Sequence, residues 1–156
     1  MDILVFSDTH GMLNDLKKVK EKVNNVDLII HLGDYTKDTG EIKKIFNKEV
    51  ICVKGNCDIS DNNTKEEEIL TINDKRILLT HGHKYKVKMD INNIYYRGIE
   101  LEVDLVLFGH THLALNIENN GLKLFNPGSL SYPRNREKTF GVLNITDKIG
   151  AQVIAI

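Results

Sequence analysis

Short apolar runs closed by polar residues recur along this chain, separated by stretches of a different period. Residues 2–7, DILVFS, hold a short apolar run that stops at a serine, which predicts a buried strand. Leu13, Leu16, Val19 and Val23 then repeat at helical spacing with lysines between them, giving an amphipathic helix. A second apolar run at 26–32 ends in Gly33-Asp34. A shorter helix is expected over 39–46, and a third run at 49–53 ends in Gly55-Asn56. Strand and helix alternating in this order argue for a parallel, doubly wound sheet. The second half is patterned differently. Runs at 68–72 and 76–80 flank Asn73-Asp74, a hairpin turn, and a helix around 91–101 precedes an apolar run at 103–108. Runs at 113–118 and 122–125 flank Asn119-Asn120-Gly121, the strongest hairpin signal in the chain. Two last strands are expected at 139–145 and 152–156. Parallel units succeeded by hairpins predict an α/β fold with a mixed two-sheet core and helices outside. No repeat, low-complexity tract or linker interrupts it, so residues 1–156 read as one domain.

The chemistry lies in the polar residues at the end of each apolar run. The first run delivers Asp8 and His10, the second Asp34 and the third Asn56. The hairpin strand delivers His81 and His83, and the stretch VLFGHTH delivers His110 and His112. If that last strand continued through Thr111, both imidazoles would point to one side, because residues i and i+2 share a face. In open α/β sheets the carboxyl ends of parallel strands line the ligand crevice. Asp, Asn and His side chains from five segments can therefore converge. A glycine accompanies each group (Gly11, Gly33, Gly55, Gly82, Gly109), as expected where the backbone turns sharply or approaches a ligand. Neutral imidazoles and carboxylates suit a borderline divalent metal, and no thiolate set suggests a structural zinc site. The ligand supply is too large for one closed tetrahedral site. Two metals bridged by one carboxylate and a hydroxide fit it better, and such a pair, roughly 3.5–4 Å apart, suits in-line displacement at phosphorus.

Composition narrows the reading further. Lys+Arg 21 against Asp+Glu 22 leaves a formal charge of -1, which offers no basic groove for nucleic acid. Trp is absent and aromatics are 6%, so stacking platforms for single strands are not expected. No apolar run is long enough to span a bilayer, and MDILVFSDTH has neither the cationic start nor the cleavage site of a signal peptide. Cys52 and Cys57 lie too close together for a disulfide framework, so a reducing cytoplasm is the expected location.

Asp8-Thr-His10, Gly33-Asp34, Gly55-Asn56, His81-Gly-His83 and Gly109-His-Thr-His112, in order and at strand ends, resemble the signature of calcineurin-like metallophosphoesterases. Asn56-Cys57-Asp58, Asn126-Pro-Gly-Ser129 and the short length look most like the small YfcE-type prokaryotic phosphodiesterases of that family. The resemblance implies a four-layer α/β/β/α sandwich. It implies that Asp8, His10 and His112 bind one divalent metal, that Asn56, His81 and His110 bind a second, and that Asp34 bridges the two. Manganese leads the candidates, with nickel, iron, cobalt and zinc open. The implied reaction is hydrolysis of a small phosphodiester by a metal-bridging hydroxide, with Asp34 and Asn56 in catalytic roles and assembly as a homodimer or homotetramer. One departure stands out. Many relatives carry histidine where this chain has Cys57, and that imidazole helps protonate the leaving group. Losing a general acid typically costs ~10²–10⁴-fold in rate, so acidic leaving groups are favoured here. His83 and Asp58 remain as candidate proton donors. The alternative on the same fold is a catalytically weak or inactive protein-binding scaffold, disfavoured because every ligand position is retained.

Blander readings apply elsewhere. Asp8 alone reads as an N-cap for the first helix. His31, inside LIIHL, reads as a core histidine with a satisfied partner. Glu66 to Glu68 and the alternating Lys84, Lys86 and Lys88 read as solvated faces, ahead of a role for the lysines in guiding an anion. Asn126-Pro-Gly-Ser129 reads as a turn, with Asn126 organising the cleft if the resemblance holds. Ser129 has no paired base and is not expected to be a nucleophile.

Overall fold

The computed structural model describes residues 1–23 and 25–156. In chain order it holds β1 (Asp2–Phe6), α1 (Leu16–Lys22), β2 (Leu28–His31), α2 (Thr39–Phe46) and β3 (Val50–Cys52). Next come β4 (Glu67–Ile72), β5 (Lys75–Thr80), α3 (Asn92–Glu100) and β6 (Leu105–Leu107). The last four strands are β7 (Ala114–Asn119), β8 (Leu122–Pro127), β9 (Thr139–Ile145) and β10 (Ile149–Ala155).

Two mixed five-stranded sheets result, in the orders β10-β9-β1-β2-β3 and β4-β5-β6-β8-β7. Pairing is parallel for β1–β2, β2–β3, β5–β6 and β6–β8, and antiparallel for β1–β9, β9–β10, β4–β5 and β7–β8. Alternation along each strand explains why the central runs are apolar throughout. Ile3, Val5 and Ile30 point between the sheets, where they meet Ile77, Leu79, Leu105, Leu107 and Phe125. Leu4, Phe6 and Ile29 point outward and are covered by Leu16 and Val19 of α1 and by Ile42 and Phe46 of α2. On the far side Leu78, Val106 and Leu124 are covered by Ile94 of α3. The layers are therefore α/β/β/α, as the resemblance implied. Each buried Leu, Ile or Phe contributes roughly 1.5–3 kcal/mol, so the three apolar layers dominate stability.

Two details depart from the sequence pattern. The first helix begins at Leu16 rather than at Leu13, because the chain spends residues 9–15 turning, with Met12 N–H donating to the Thr9 carbonyl. Asp8 is therefore no helix cap. The C-terminal hairpin also returns to the first sheet, where β9 pairs with the edge of β1 from Asp2↔Asn144 to Val5↔Gly141. Its turn is tight, with Thr146 N–H on the Lys148 carbonyl, so β10 starts at Ile149 instead of Gln152. What matters for chemistry is that the loops after β1, β2, β3, β5 and β6 meet at one end of the sandwich.

Candidate metal centre

Those five loops hold Asp8 and His10, Asp34, Asn56, His81 and His83, and His110 and His112, respectively. Asp8, His10, Asp34 and His112 each bring one ligand atom within 4.8 Å of the others, and so do Asp34, His81 and His110. Asp34 belongs to both groups. The strand that enters VLFGHTH does not continue through it. It stops at Leu107, and His110 and His112 take left-handed backbone conformations with φ of 66° and 57°. Asp8, His10 and Asp34 do the same, with φ of 55°, 46° and 56°. Such conformations cost on the order of 1–3 kcal/mol each and persist only where surrounding structure dictates them. Here the loops brace one another. Asp8 N–H donates to the Gly33 carbonyl at 3.0 Å, Gly109 N–H to the His81 carbonyl at 3.1 Å, and the Ser129 and Ser131 hydroxyls both donate to the Asp8 carbonyl.

Each carboxylate is half committed. Asp8 Oδ2 accepts from the Ser7 hydroxyl at 2.5 Å and from His110 N–H at 3.0 Å. Its other oxygen, Oδ1, is buried without a hydrogen-bond partner and lies 3.1 Å from His112 Nε2. Asp34 Oδ1 accepts from Cys57 N–H at 2.9 Å, which turns Oδ2 toward His81 Nε2 at 3.4 Å and His10 Nε2 at 3.8 Å. Glycine is required where these groups pass other loops. A Cβ on Gly109 would fall 1.9 Å from the Ser7 hydroxyl, and one on Gly55 2.2 Å from Asp34 Oδ1.

Two imidazoles are oriented by backbone carbonyls. His81 Nδ1 donates to the Leu32 carbonyl at 2.8 Å, and His112 Nδ1 to the Tyr132 carbonyl at 2.7 Å. A carbonyl can only accept, so Nδ1 carries the proton and the neutral ring offers its Nε2 lone pair to the cleft. The imidazole nitrogens crowd together. His81 Nε2 is 3.1 Å from His110 Nδ1, and His112 Nε2 is 3.4 Å from His10 Nε2.

Electrostatics obey the same geometry. Burial opposes charge on Asp8 and Asp34, but facing imidazoles outweigh it and hold both pKa values below the usual carboxylate range. The Asp8 carboxylate pushes His112 up. Burial opposes charge on His81, yet Asp34 and Asp8 prevail and raise it. Burial, then the charge of His81, press His110 down to about 4. Ionised carboxylates, one of them with an oxygen that has no hydrogen-bond partner, and four clustered imidazoles make a donor-rich cavity that a cation would satisfy. The donor set fits divalent metal: imidazole nitrogen and carboxylate oxygen, with no thiolate among the clustered atoms.

The remaining candidates take different places. Asn56 is exposed beside Asp34's partner Cys57, its amide nitrogen 3.4 Å from Cys57 Sγ. Partial burial and the Asp34 carboxylate push the Cys57 thiol up to about 11, so it is neutral at pH 7. Asp58 is buried and accepts four backbone N–H groups, from Asp34, Tyr35, Thr36 and Gly55. Its oxygens brace the loops and do not reach for a leaving group. His83 lies beside the cluster, its ring centroid 5.5 Å from His81 and 6.1 Å from His110. His31 is a core residue with partners, bonded to the Thr9 hydroxyl at 3.0 Å and to Gly33 N–H at 3.2 Å. Asn126 is buried and holds the His110 loop, donating to the Gly109 carbonyl and the Thr111 hydroxyl. Sequence reasoning missed the Leu32 and Tyr132 carbonyls, because a backbone acceptor leaves no mark on residue identity. It also missed Ser7 and Ser131, whose only signal is a small hydroxyl next to a polar bend.

Comparison with known proteins agrees with this geometry. The calcineurin-like phosphoesterase superfamily domain matches residues 1–148. The chain belongs to that family. It is 37% identical over 147 residues to the probable metallophosphoesterase YsnB of Bacillus subtilis, covering 93% of this chain and 85% of the relative. It is 30% identical to phosphodiesterase MJ0936 of Methanocaldococcus jannaschii, covering 99% of each. A crystal structure of a predicted phosphoesterase from Streptococcus pneumoniae superposes with a TM-score of 0.82 at 26% identity, over 99% of this chain and 88% of that one. For this calcineurin-like phosphoesterase, metal-dependent hydrolysis is the family chemistry, and no helix among the described residues is long and apolar enough to cross a membrane.

Proposed function

We propose that this protein is a dinuclear metal-dependent phosphodiesterase acting on small diesters with acidic leaving groups. In this reading Asp8, His10 and His112 hold one ion, and His81 and His110 hold the other with Asn56. Asp34 serves both. Manganese is the first metal to test. Two divalent ions there would acidify a shared water and neutralise charge on the phosphoryl oxygens. The observation that carries the reading is the Asp34 carboxylate, which is the member common to both ligand groups.

The chain's own residues then have definite tasks. Cys57 N–H pins Asp34 Oδ1 and so aims Oδ2 at both groups. The Leu32 and Tyr132 carbonyls fix the tautomers of His81 and His112. No imidazole stands at Cys57, so a good leaving group must depart largely unaided. Hydrolysis of bis(p-nitrophenyl) phosphate by manganese-loaded protein, with a rate on p-nitrophenyl monophosphate well below it, is the expected result. No turnover of either ester with any divalent ion would refute the proposal.

A further inference from the structure

Beside the metal centre the loops after β2 and β3 enclose a cleft of about 370 Å³ that the proposed chemistry does not use. Its lining includes Tyr35 and Lys37 from the first loop and Cys57, Ser60, Asn62 and Asn63 from the second. It adjoins the reacting region directly. Tyr35 is next to Asp34 in the chain, its ring centroid is 6.4 Å from that of His10, and Cys57 N–H binds Asp34.

The position of Tyr35 is built rather than incidental. Its φ of 94° is a conformation that a bulky residue adopts only under constraint. The constraint is Asp58, which takes the N–H groups of Asp34, Tyr35 and Thr36. Gly11 makes room for the ring, since a Cβ there would lie 3.1 Å from it. The result is a tyrosine, 42% exposed, that lines a polar cleft. Both carboxylates of the lining are already saturated. Asp58 accepts four N–H groups, and Asp61 accepts from the Thr36 and Thr64 hydroxyls and from Asn63 and Thr64 N–H. What remains for a ligand is one aromatic face, hydroxyl and amide groups that both donate and accept, and the Lys37 amine. An acyl chain finds no apolar wall here. A planar heteroaromatic ring with polar edges finds both a stacking surface and partners, in a volume at the small end of ligand sites.

We infer that this cleft receives the nucleoside arm of the substrate, so that the diesters hydrolysed at the metal centre are nucleotide diesters, with the base stacked on Tyr35. The inference rests on the phosphodiesterase reading for the fate of the substrate but not for its binding. The test is calorimetric titration of manganese-loaded protein with adenosine 5′-monophosphate and with ethyl phosphate. Base stacking on one aromatic ring predicts that wild type prefers the nucleotide by about tenfold or more. Tyr35→Phe should keep that preference, and Tyr35→Leu should reduce it to within about twofold while ethyl phosphate binds as before, which also shows the fold intact. Asn62→Ala should weaken only the nucleotide. Equal affinities in wild type, or an unchanged preference in Tyr35→Leu, would overturn the inference. Its failure is separable from that of the enzymatic reading. Nucleotide preference without bis(p-nitrophenyl) phosphate hydrolysis strikes the reaction alone, and hydrolysis without preference strikes the cleft alone.

Discussion

Asp58 offers the sharpest test of how the loops are held. Its two oxygens accept N–H groups from Asp34 and Tyr35 at 2.9 Å and from Thr36 and Gly55 at 2.8 Å, from a side chain that is 8% exposed. Asp58→Asn keeps one oxygen for one pair of donors and sets an NH₂ group against the other pair. Hydrogen bonds to a charged acceptor contribute roughly 1.5–3 kcal/mol each. Two such bonds are lost, one donor pair is left facing a donor, and some water can enter from the adjoining cleft. Allowing for that relief, the substitution should cost about 3 kcal/mol, and Asp58→Ala about as much or more. That is a large part of the total stability of a domain of this size, roughly 5–15 kcal/mol. Urea denaturation of metal-free protein, monitored by circular dichroism, measures it. Adding manganese should restore part of the loss, because ligand binding to the folded state adds stability by mass action. A cost under about 0.5 kcal/mol for Asp58→Asn would show that these N–H groups are satisfied elsewhere and that the bracing argument is wrong.

Two further outcomes are expected. Burial holds the His31 imidazole neutral, with a pKa near 4 against 6.5 when unfolded, so the unfolded chain binds the extra proton first. Stability from this group is complete above pH 6.5 and is lost as pH falls toward 4, by ~3 kcal/mol at most. The urea midpoint difference between wild type and His31→Gln should therefore shrink across that window, and parallel profiles would contradict it. Cys57→His restores an imidazole at an exposed position beside Asp34. It should raise turnover of alkyl diesters by ~10² while changing p-nitrophenyl diesters only a few-fold, read as the ratio of kcat/KM values. An equal effect on both substrates would remove the leaving-group explanation.

The fold was legible where burial dictated pattern. Strands enclosed on both faces, such as Asp2–Phe6 and Leu28–His31, read as unbroken apolar runs, and hairpins announced themselves by Asn-Asp and Asn-Asn-Gly. The pairing of β9 with β1 was not legible, because an antiparallel partner from the far end of the chain leaves no local signal. At the candidate centre, residue types and the habit of placing them after strands carried the reading. Backbone geometry did not. The His110 and His112 side chains reach different groups from left-handed positions rather than from one face of a strand, and the reason lies in the Asp8 and Asn126 hydrogen bonds across loops. Asp58 reads as a candidate acid from its place in Asn56-Cys57-Asp58. Only the tertiary arrangement reveals that four backbone donors consume it.

The central claim is that one carboxylate joins two metal sites. Equilibrium dialysis against manganese, with metal quantified per chain for wild type and for Asp34→Asn, tests it most directly. The account predicts about two equivalents in wild type and substantial loss from both sites in a folded Asp34→Asn, together with loss of diester hydrolysis. One equivalent in wild type, or Asp34→Asn retaining full metal and turnover, would contradict it.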